Sequence, residues 1–216
     1  MHSPMTLMID LIGTAVFALS GGLLAVRRNF DVVGVVILSV AAGLGGGMLR
    51  DVLLGDTPPA ALRNEAYLLT ALVAALIAFF FHPRVEQLRR SVLLLDAIGL
   101  GFFAVSGTLR SLSAGLGPVP AVLLGVVTGA GGGAIRDVLA MEVPLVLRRD
   151  IYALAALLGA VTFVAVDRIS TQVVAAILGI ALTFALRVLS IRFGWQAPRP
   201  RKRHDSAIEQ SDEPKL

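Results

Sequence analysis

Two segments of this chain read almost identically. Gly43-Leu-Gly-Gly-Gly-Met-Leu-Arg-Asp-Val-Leu returns 86 residues later as Gly129-Ala-Gly-Gly-Gly-Ala-Ile-Arg-Asp-Val-Leu, each time inside an otherwise apolar run. A glycine triplet weakens a helix, because glycine has no side chain to pack and loses the most backbone entropy on ordering. An Arg-Asp pair is expensive at membrane depth unless it meets a partner, water or a function. A chain that carries both liabilities twice, at corresponding positions, is constrained to a fold that uses the two copies together.

The surrounding composition sets the medium. Of 216 residues, 56% are hydrophobic and only 16% charged, with a mean hydropathy of +0.82, whereas a soluble domain carries about a quarter charged residues. The apolar residues fall in long runs between short charged patches, the pattern of an all-α polytopic membrane protein. Seven helices are expected, at about Met5–Val26, Val32–Leu54, Ala66–His82, Val92–Leu112, Pro118–Met141, Ile151–Val166 and Thr171–Phe193. Tyr67, Tyr152 and Trp195 fall at span ends, where amphipathic rings favour the interface.

With the N-terminus outside, thirteen Arg and Lys residues fall in inner segments and three (Arg63, Arg110, Arg168) in outer loops, leaving Arg50, Arg136 and Arg187 within the spans. That asymmetry predicts N-out, C-in. The first apolar run has no basic segment ahead of it, so the first span is expected to be retained rather than cleaved. The polar tail from 197 to 216 is expected to be disordered in the cytosol. The formal charge of +4 reflects these loops and the Arg199–Arg203 cluster, so no nucleic-acid partner is expected.

Several chemistries are excluded or disfavoured. No cysteine is present, which removes disulfides, thiol catalysis and Cys-ligated metals. His2, His82 and His204 share no ligand spacing, and neither a dinucleotide fingerprint nor a Walker lysine accompanies either triplet. The three residues between Gly47 and Asp51 rule out the Gly-x-Gly-Asp element of intramembrane aspartyl proteases. No enzyme, cofactor or metal centre is expected, beyond transient monovalent cations.

At the constant shift of 86, Asp10 meets Asp96, Gly13 meets Gly99, Phe17 meets Phe103 and Ser20 meets Ser106. Arg50-Asp51 meets Arg136-Asp137, Pro58 meets Pro144, and Tyr67 meets Tyr152 after the loss of one residue. The chain therefore divides into a three-helix unit over 5–82, a second over 92–166, and a seventh helix at 171–193. Three is odd, so the second unit enters from the opposite side, and the halves form an inverted repeat.

Within that frame, Gly43, Gly45, Gly46 and Gly47, with Gly129, Gly131, Gly132 and Gly133, are expected to bend or unwind their helices beside a pore. Freed carbonyls there could replace part of a cation's hydration shell. Close helix packing is the competing reading. Adjacent helical residues point about 100° apart, so Arg50 with Asp51, and Arg136 with Asp137, are expected to pair with other motifs or spans rather than with each other. These four residues set the field of a pore, hold it shut, or simply fix the helices. Asp10 and Asp96, placed in the first turns of their helices, cap those helices or form cation-attracting mouths. Ser20, Ser39, Ser106 and Thr128 could line a wet path or bond to their own helices. Arg187 is left to complement Asp51 or Asp137, or to snorkel.

These residues resemble the trimeric intracellular cation channel family, in its bacterial branch of small proteins with paired glycine-transporter-type domains. The resemblance covers about Met5 to Phe193. It rests on the doubled Gly-x-Gly-Gly-Gly-x-x-Arg-Asp-Val-Leu motif, the Asp-x-x-Gly openings and the 3+3+1 layout. It implies a homotrimer in the lipid of the bacterial inner membrane, each subunit with its own hourglass pore passing monovalent cations, chiefly potassium, with sodium a further candidate. It also implies kinks at Gly45–Gly47 and Gly131–Gly133. The alternative function is a secondary transporter of a small zwitterion such as glycine, with half-helix N-termini holding the carboxylate.

Overall fold

The structure, a computed structural model, describes residues 4–82, 85–148 and 151–195; the expected tail lies outside these residues. Seven long helices and two single-turn helices make up the described chain. They are α1 (Pro4–Arg27), α2 (Val32–Leu53), α3 (Ala60–Arg63), α4 (Glu65–Phe80), α5 (Val85–Ser113), α6 (Pro118–Leu139), α7 (Leu145–Arg148), α8 (Ile151–Asp167) and α9 (Gln172–Phe193). α1, α2, α6, α9 and the Gln87–Ser113 part of α5 are each long and apolar enough to cross a membrane; α4 and α8 are shorter apolar helices. Large apolar side chains such as Ile37, Leu69, Val73, Leu123 and Ile177 point outward and are more than half exposed. A surface of this kind is at home in lipid, and the protein is an integral membrane protein.

Local chemistry fixes the helix ends. Asp31 accepts the Gly34 amide at 2.8 Å to cap α2, Asn64 accepts from Ala66 to cap α4, and Thr171 accepts from Val174 to cap α9. Gly194, at φ 64°, closes α9 in the left-handed conformation that glycine adopts without strain. The start of α5 is a correction: the helix runs from Val85, seven residues earlier than the apolar pattern predicts. Helical hydrogen bonding does not require an apolar sequence, so the polar stretch before Val92 continues the helix.

α1 and α5 form the centre, with about 67% and 72% of their spans buried, against 33–44% for α2, α6 and α9. They meet through Phe17 and Phe103, stacked at 5.5 Å and 14°, each ring lying against the other unit's Gly99 or Gly13. α2 and α6 cross where their triplets touch. A Cβ on Gly46 would lie 2.2 Å from the Thr128 carbonyl oxygen, and one on Gly132 would lie 2.4 Å from that of Ala42.

The triplets do not unwind their helices. α2 and α6 are helical throughout Gly45–Gly47 and Gly131–Gly133. The glycines serve close backbone approach, and tertiary contact outweighs their weak intrinsic helix preference.

At one end of the bundle, Arg27 and Arg28, closing α1, both donate to Glu142 in the segment after α6, Arg28 Nη2 at 2.8 Å. Burial pushes the Glu142 carboxyl up, but the Arg27 charge and the hydrogen bonds from Arg28 and Arg27 outweigh it and hold the group below its usual range.

The packing is testable by substitution. Gly46→Ala and Gly132→Ala should each destabilise the detergent-solubilised protein by about 1–3 kcal/mol in thermal unfolding, the cost of overpacking. Gly47→Ala, whose Cβ would meet only the Arg50 side-chain end at 3.7 Å, should be close to neutral. For Glu142, a lowered folded-state pKa means its contribution is present above the unfolded value near 4.3 and disappears as pH falls through the folded one. The stability gap between wild type and Glu142→Gln should therefore be constant near neutrality and close below about pH 4.

Candidate functional site

Each Arg-Asp motif lies within the last turn of its helix, and there it gathers a buried cluster. In the first, Arg50 Nε donates to Asp51 Oδ1 at 2.9 Å, Nη1 reaches Asp10 Oδ1 at 3.2 Å and the Ser106 hydroxyl at 3.1 Å, and Nη2 reaches Asp10 Oδ2 at 3.4 Å. Ser106 donates to Asp10 Oδ1, Tyr67 donates to Asp10 Oδ2 at 3.1 Å, and Arg110 adds a second guanidinium 3.2 Å from Asp51 Oδ1. The remaining Asp51 oxygen accepts the Ala60 amide at 2.9 Å, which opens α3.

The second cluster repeats the plan. Arg136 Nε and Nη2 donate to Asp137 Oδ1 at 2.9 and 2.8 Å, while Nη1 lies 3.0 Å from Asp96 Oδ1 and donates to the Ser20 hydroxyl. Tyr152 donates to Asp96 Oδ1 at 3.3 Å, and Asp137 Oδ2 accepts the Leu145 amide that opens α7 at 2.9 Å. The added guanidinium comes from α9: Arg187 Nη2 stands 3.9 Å from Asp96 Oδ2, with its Cζ 4.6 Å from the Tyr152 ring centroid. Each cluster thus pairs two guanidinium groups with two carboxylates, all at most 6% exposed, and its formal charge cancels.

The clusters lie toward opposite ends of the bundle. α2 starts beside the Arg27 end of α1 and runs away from it, whereas α6 finishes there, at the Glu142 clasp. Beside the Arg50 cluster a narrow cleft is lined by Asp10, Thr14, Gly43, Gly47, Arg50 and Phe103. The whole cleft has room for about one water molecule. Thr14, Gly43 and Gly47 therefore give the cleft both polar and bare-backbone walls.

Several expectations change. Asp10 and Asp96 are not in first turns: they are the seventh and twelfth residues of α1 and α5, buried and ion-paired, so they neither cap those helices nor form open mouths. Arg and Asp of one motif do pair, because the long arginine stem curls back within the helix's final turn. The Arg50 motif makes no ion pair with the Arg136 motif among the described residues. Tyr67 and Tyr152 are buried partners of the aspartates rather than interface markers, while Trp195, just past the end of α9, stays exposed against Phe193. Arg110 belongs to α5 and to the first cluster, not to an outer loop. Arg187 faces Asp96, not Asp51 or Asp137. The repeat register also shifts at one point: Pro59 and Pro144 each precede the first residue of their short helix, so Pro59, not Pro58, is the counterpart of Pro144.

Tyr67 and Tyr152 were detectable through the repeat itself, since both recur at its register. Arg110 and Arg187 have no counterpart and carried no such signal.

Removing one member of a buried pair strands its partner's charge, which typically costs about 3–5 kcal/mol. Asp10→Asn should therefore destabilise strongly in detergent thermal melts, whereas Tyr67→Phe, deleting one neutral donor, should cost about 1 kcal/mol.

Comparison with known proteins agrees with this architecture. The family model described as "Glycine transporter" matches twice, over residues 7–83 and 93–168, its two starts separated by the same 86 residues. A UPF0126 membrane protein of Deinococcus radiodurans is 51% identical over 70% of this chain and 72% of its own length. The UPF0126 inner membrane protein YadS of Escherichia coli K12 is 37% identical over 88% of this chain and 93% of its own. Among solved structures, the trimeric intracellular cation channel orthologue from Rhodobacter sphaeroides superposes with a TM-score of 0.84 at 41% identity, covering 89% of this chain and all of that one. A prokaryotic channel of the same kind, crystallised in 0.5 M KCl, gives 0.84 at 33% identity over 89% of this chain and 98% of its own. The chain belongs to the family defined by the glycine-transporter model, that of the trimeric intracellular cation channels.

Proposed function

We propose that this protein is a passive, potassium-permeable channel for monovalent cations, a homotrimer in the bacterial inner membrane with one route through each subunit. The observation that carries this reading is the pair of neutral, buried Arg–Asp clusters, one toward each end of the bundle. In both, guanidinium groups hold the carboxylates, and in the first the carboxylates of Asp10 and Asp51 line a narrow cleft. When a guanidinium shifts, its carboxylate becomes a cation ligand; when it returns, the path closes. Arg50, Asp51 and Asp10 form one gate, and Arg136, Asp137 and Asp96 the other. Gly43, Gly45, Gly46 and Gly47, with Gly129, Gly131, Gly132 and Gly133, bring bare backbone to the waist between them. The likeness to solved cation channels over nearly the whole described chain supports the same reading.

In this proposal the units 5–82 and 92–166 form an inverted repeat, with 171–193 outside it, the N-terminus outside and the tail 197–216 in the cytoplasm. The contacts support it: Arg50 bonds Ser106 while Arg136 bonds Ser20, a reciprocal exchange between units, and Phe17 stacks on its own counterpart Phe103. Residues near a two-fold axis meet their own copies in this way. The carrier reading placed a substrate carboxylate on half-helix N-termini; continuous α2 and α6 present none.

Purified protein in planar bilayers should show unitary potassium currents that persist with sodium at altered amplitude. Saturable flux without unitary events, together with counterflow of labelled glycine in proteoliposomes, would replace the channel with a carrier.

A further inference from the structure

The two clusters are built alike but finished differently. In the Arg50 cluster all four carboxylate oxygens of Asp10 and Asp51 have hydrogen-bond partners. In the Arg136 cluster Asp96 Oδ2 has none, and neither do Nε, Nη1 and Nη2 of Arg187, among the described residues. Both residues are 0% exposed. Buried ionic groups are normally hydrogen-bonded, so an unbonded carboxylate oxygen facing an unbonded guanidinium at 3.9 Å is a departure with a cost.

Tyr152 explains the spacing. Its hydroxyl binds the other oxygen of Asp96, and its ring face attracts the guanidinium at 4.6 Å, holding Arg187 beside the carboxylate rather than bidentate upon it. Arg187 lies in α9, outside the repeated units; in the Arg50 cluster Arg110 stands 3.6 Å from Asp10 Oδ2, but that oxygen already accepts from Arg50 and Tyr67, so the unbonded oxygen is particular to Asp96.

We infer that Arg187 is the residue that sets how tightly the passage holds a monovalent cation at Asp96 Oδ2. This inference rests on the channel reading above. A carboxylate oxygen in a low-dielectric path binds a cation strongly, yet conduction requires that the ion leave again. A fixed positive charge 3.9 Å away repels the arriving cation and weakens the site without filling it. Arg187 is thus a positioning residue for affinity, acting through Asp96.

The test uses the full-length protein in two readouts: thermal stabilisation of the detergent-solubilised protein as KCl replaces an N-methylglucamine salt, and single-channel conductance against potassium concentration in bilayers. Arg187→Gln should lower the half-saturating potassium concentration in both by about tenfold or more, and lower the maximal conductance because the ion is held longer. Arg187→Lys, which keeps the charge, should move both far less. Asp96→Asn combined with Arg187→Gln should erase the shift. Should Arg187→Gln fail to fold, Tyr152→Leu lets Arg187 close on Asp96 and should raise the half-saturating concentration instead. An unchanged half-saturation in folded Arg187→Gln, or an unchanged or lowered one in Tyr152→Leu, overturns the inference. If wild type shows no unitary currents but the stabilisation shifts as stated, the Asp96–Arg187 site stands and the channel reading falls. Unitary currents without the shift leave the channel reading standing and remove the site.

Discussion

Charge that is removed from water must be cancelled where it sits, and the arrangement of this bundle follows from that requirement. Four guanidinium groups (Arg50, Arg110, Arg136, Arg187) and four carboxylates (Asp10, Asp51, Asp96, Asp137) are sealed among apolar helices. Their attraction is strong only because the medium is poor at screening, and the same medium makes any unpaired member costly. Each cluster therefore ties distant parts of the chain to one point. The first joins α1, α2, α4 and α5 and fixes the start of α3; the second joins α1, α5, α6, α8 and α9 and fixes the start of α7. The second carboxylate oxygen of Asp51 or Asp137 anchors a single-turn helix that would have no stability alone. The shorter helices α4 and α8 then follow directly.

Such clusters can form only if the helices that carry them approach closely, and the glycines permit this. At the crossing of α2 and α6 even a methyl group would collide with backbone. Bare backbone at the crossing and ion pairs toward either end are thus two parts of one design: the first lets the helices close up, the second cancels the charge they bury. In this conformation the cleft beside Arg50 admits about one water, so on the proposed channel reading permeation calls for guanidinium movement rather than for unwinding of a helix. On that reading the gate lies in side chains, which can move without breaking the backbone hydrogen bonds that lipid forbids exposing.

Much of this was legible in the amino-acid order because the chain states it twice. The 86-residue register selects Asp10, Arg50, Asp51 and their counterparts, and Tyr67 with Tyr152 after the loss of one residue, while hydropathy places the seven long helices to within a few residues, save at the start of α5. The errors have physical causes. Projecting Arg50 and Asp51 at 100° treats side chains as short spokes, whereas an arginine stem is long and flexible and can return to its neighbour. Counting turns from Val92 put Asp96 at a helix start, because the polar stretch ahead of it is helical too; Asp10, sixth from the expected start at Met5, already lay past the first turn. Helix propensity alone made the triplets breaks, since the contact that compensates them lies 86 residues away in sequence. α3 and α7, four residues each, are too short to leave a periodic signal. Arg110 and Arg187 are single events in a repeated chain: Arg187 stands out as a charge within a span, but its partner Asp96, and the whole role of Arg110, are visible only once the helices are packed.

If the channel reading is right, a hydrated route runs through each subunit beside the buried clusters. The natural absence of cysteine allows that route to be probed one position at a time. Single cysteines at Thr14, Gly47 and Ser20, compared with the outward-facing Leu69, can be challenged in membranes with a small cationic, membrane-impermeant thiol reagent. The three interior positions should react, potassium should slow them, and Leu69 in lipid should not react. Interior cysteines as inert as Leu69, under conditions where potassium currents flow, would show that ions take another path and would contradict the account.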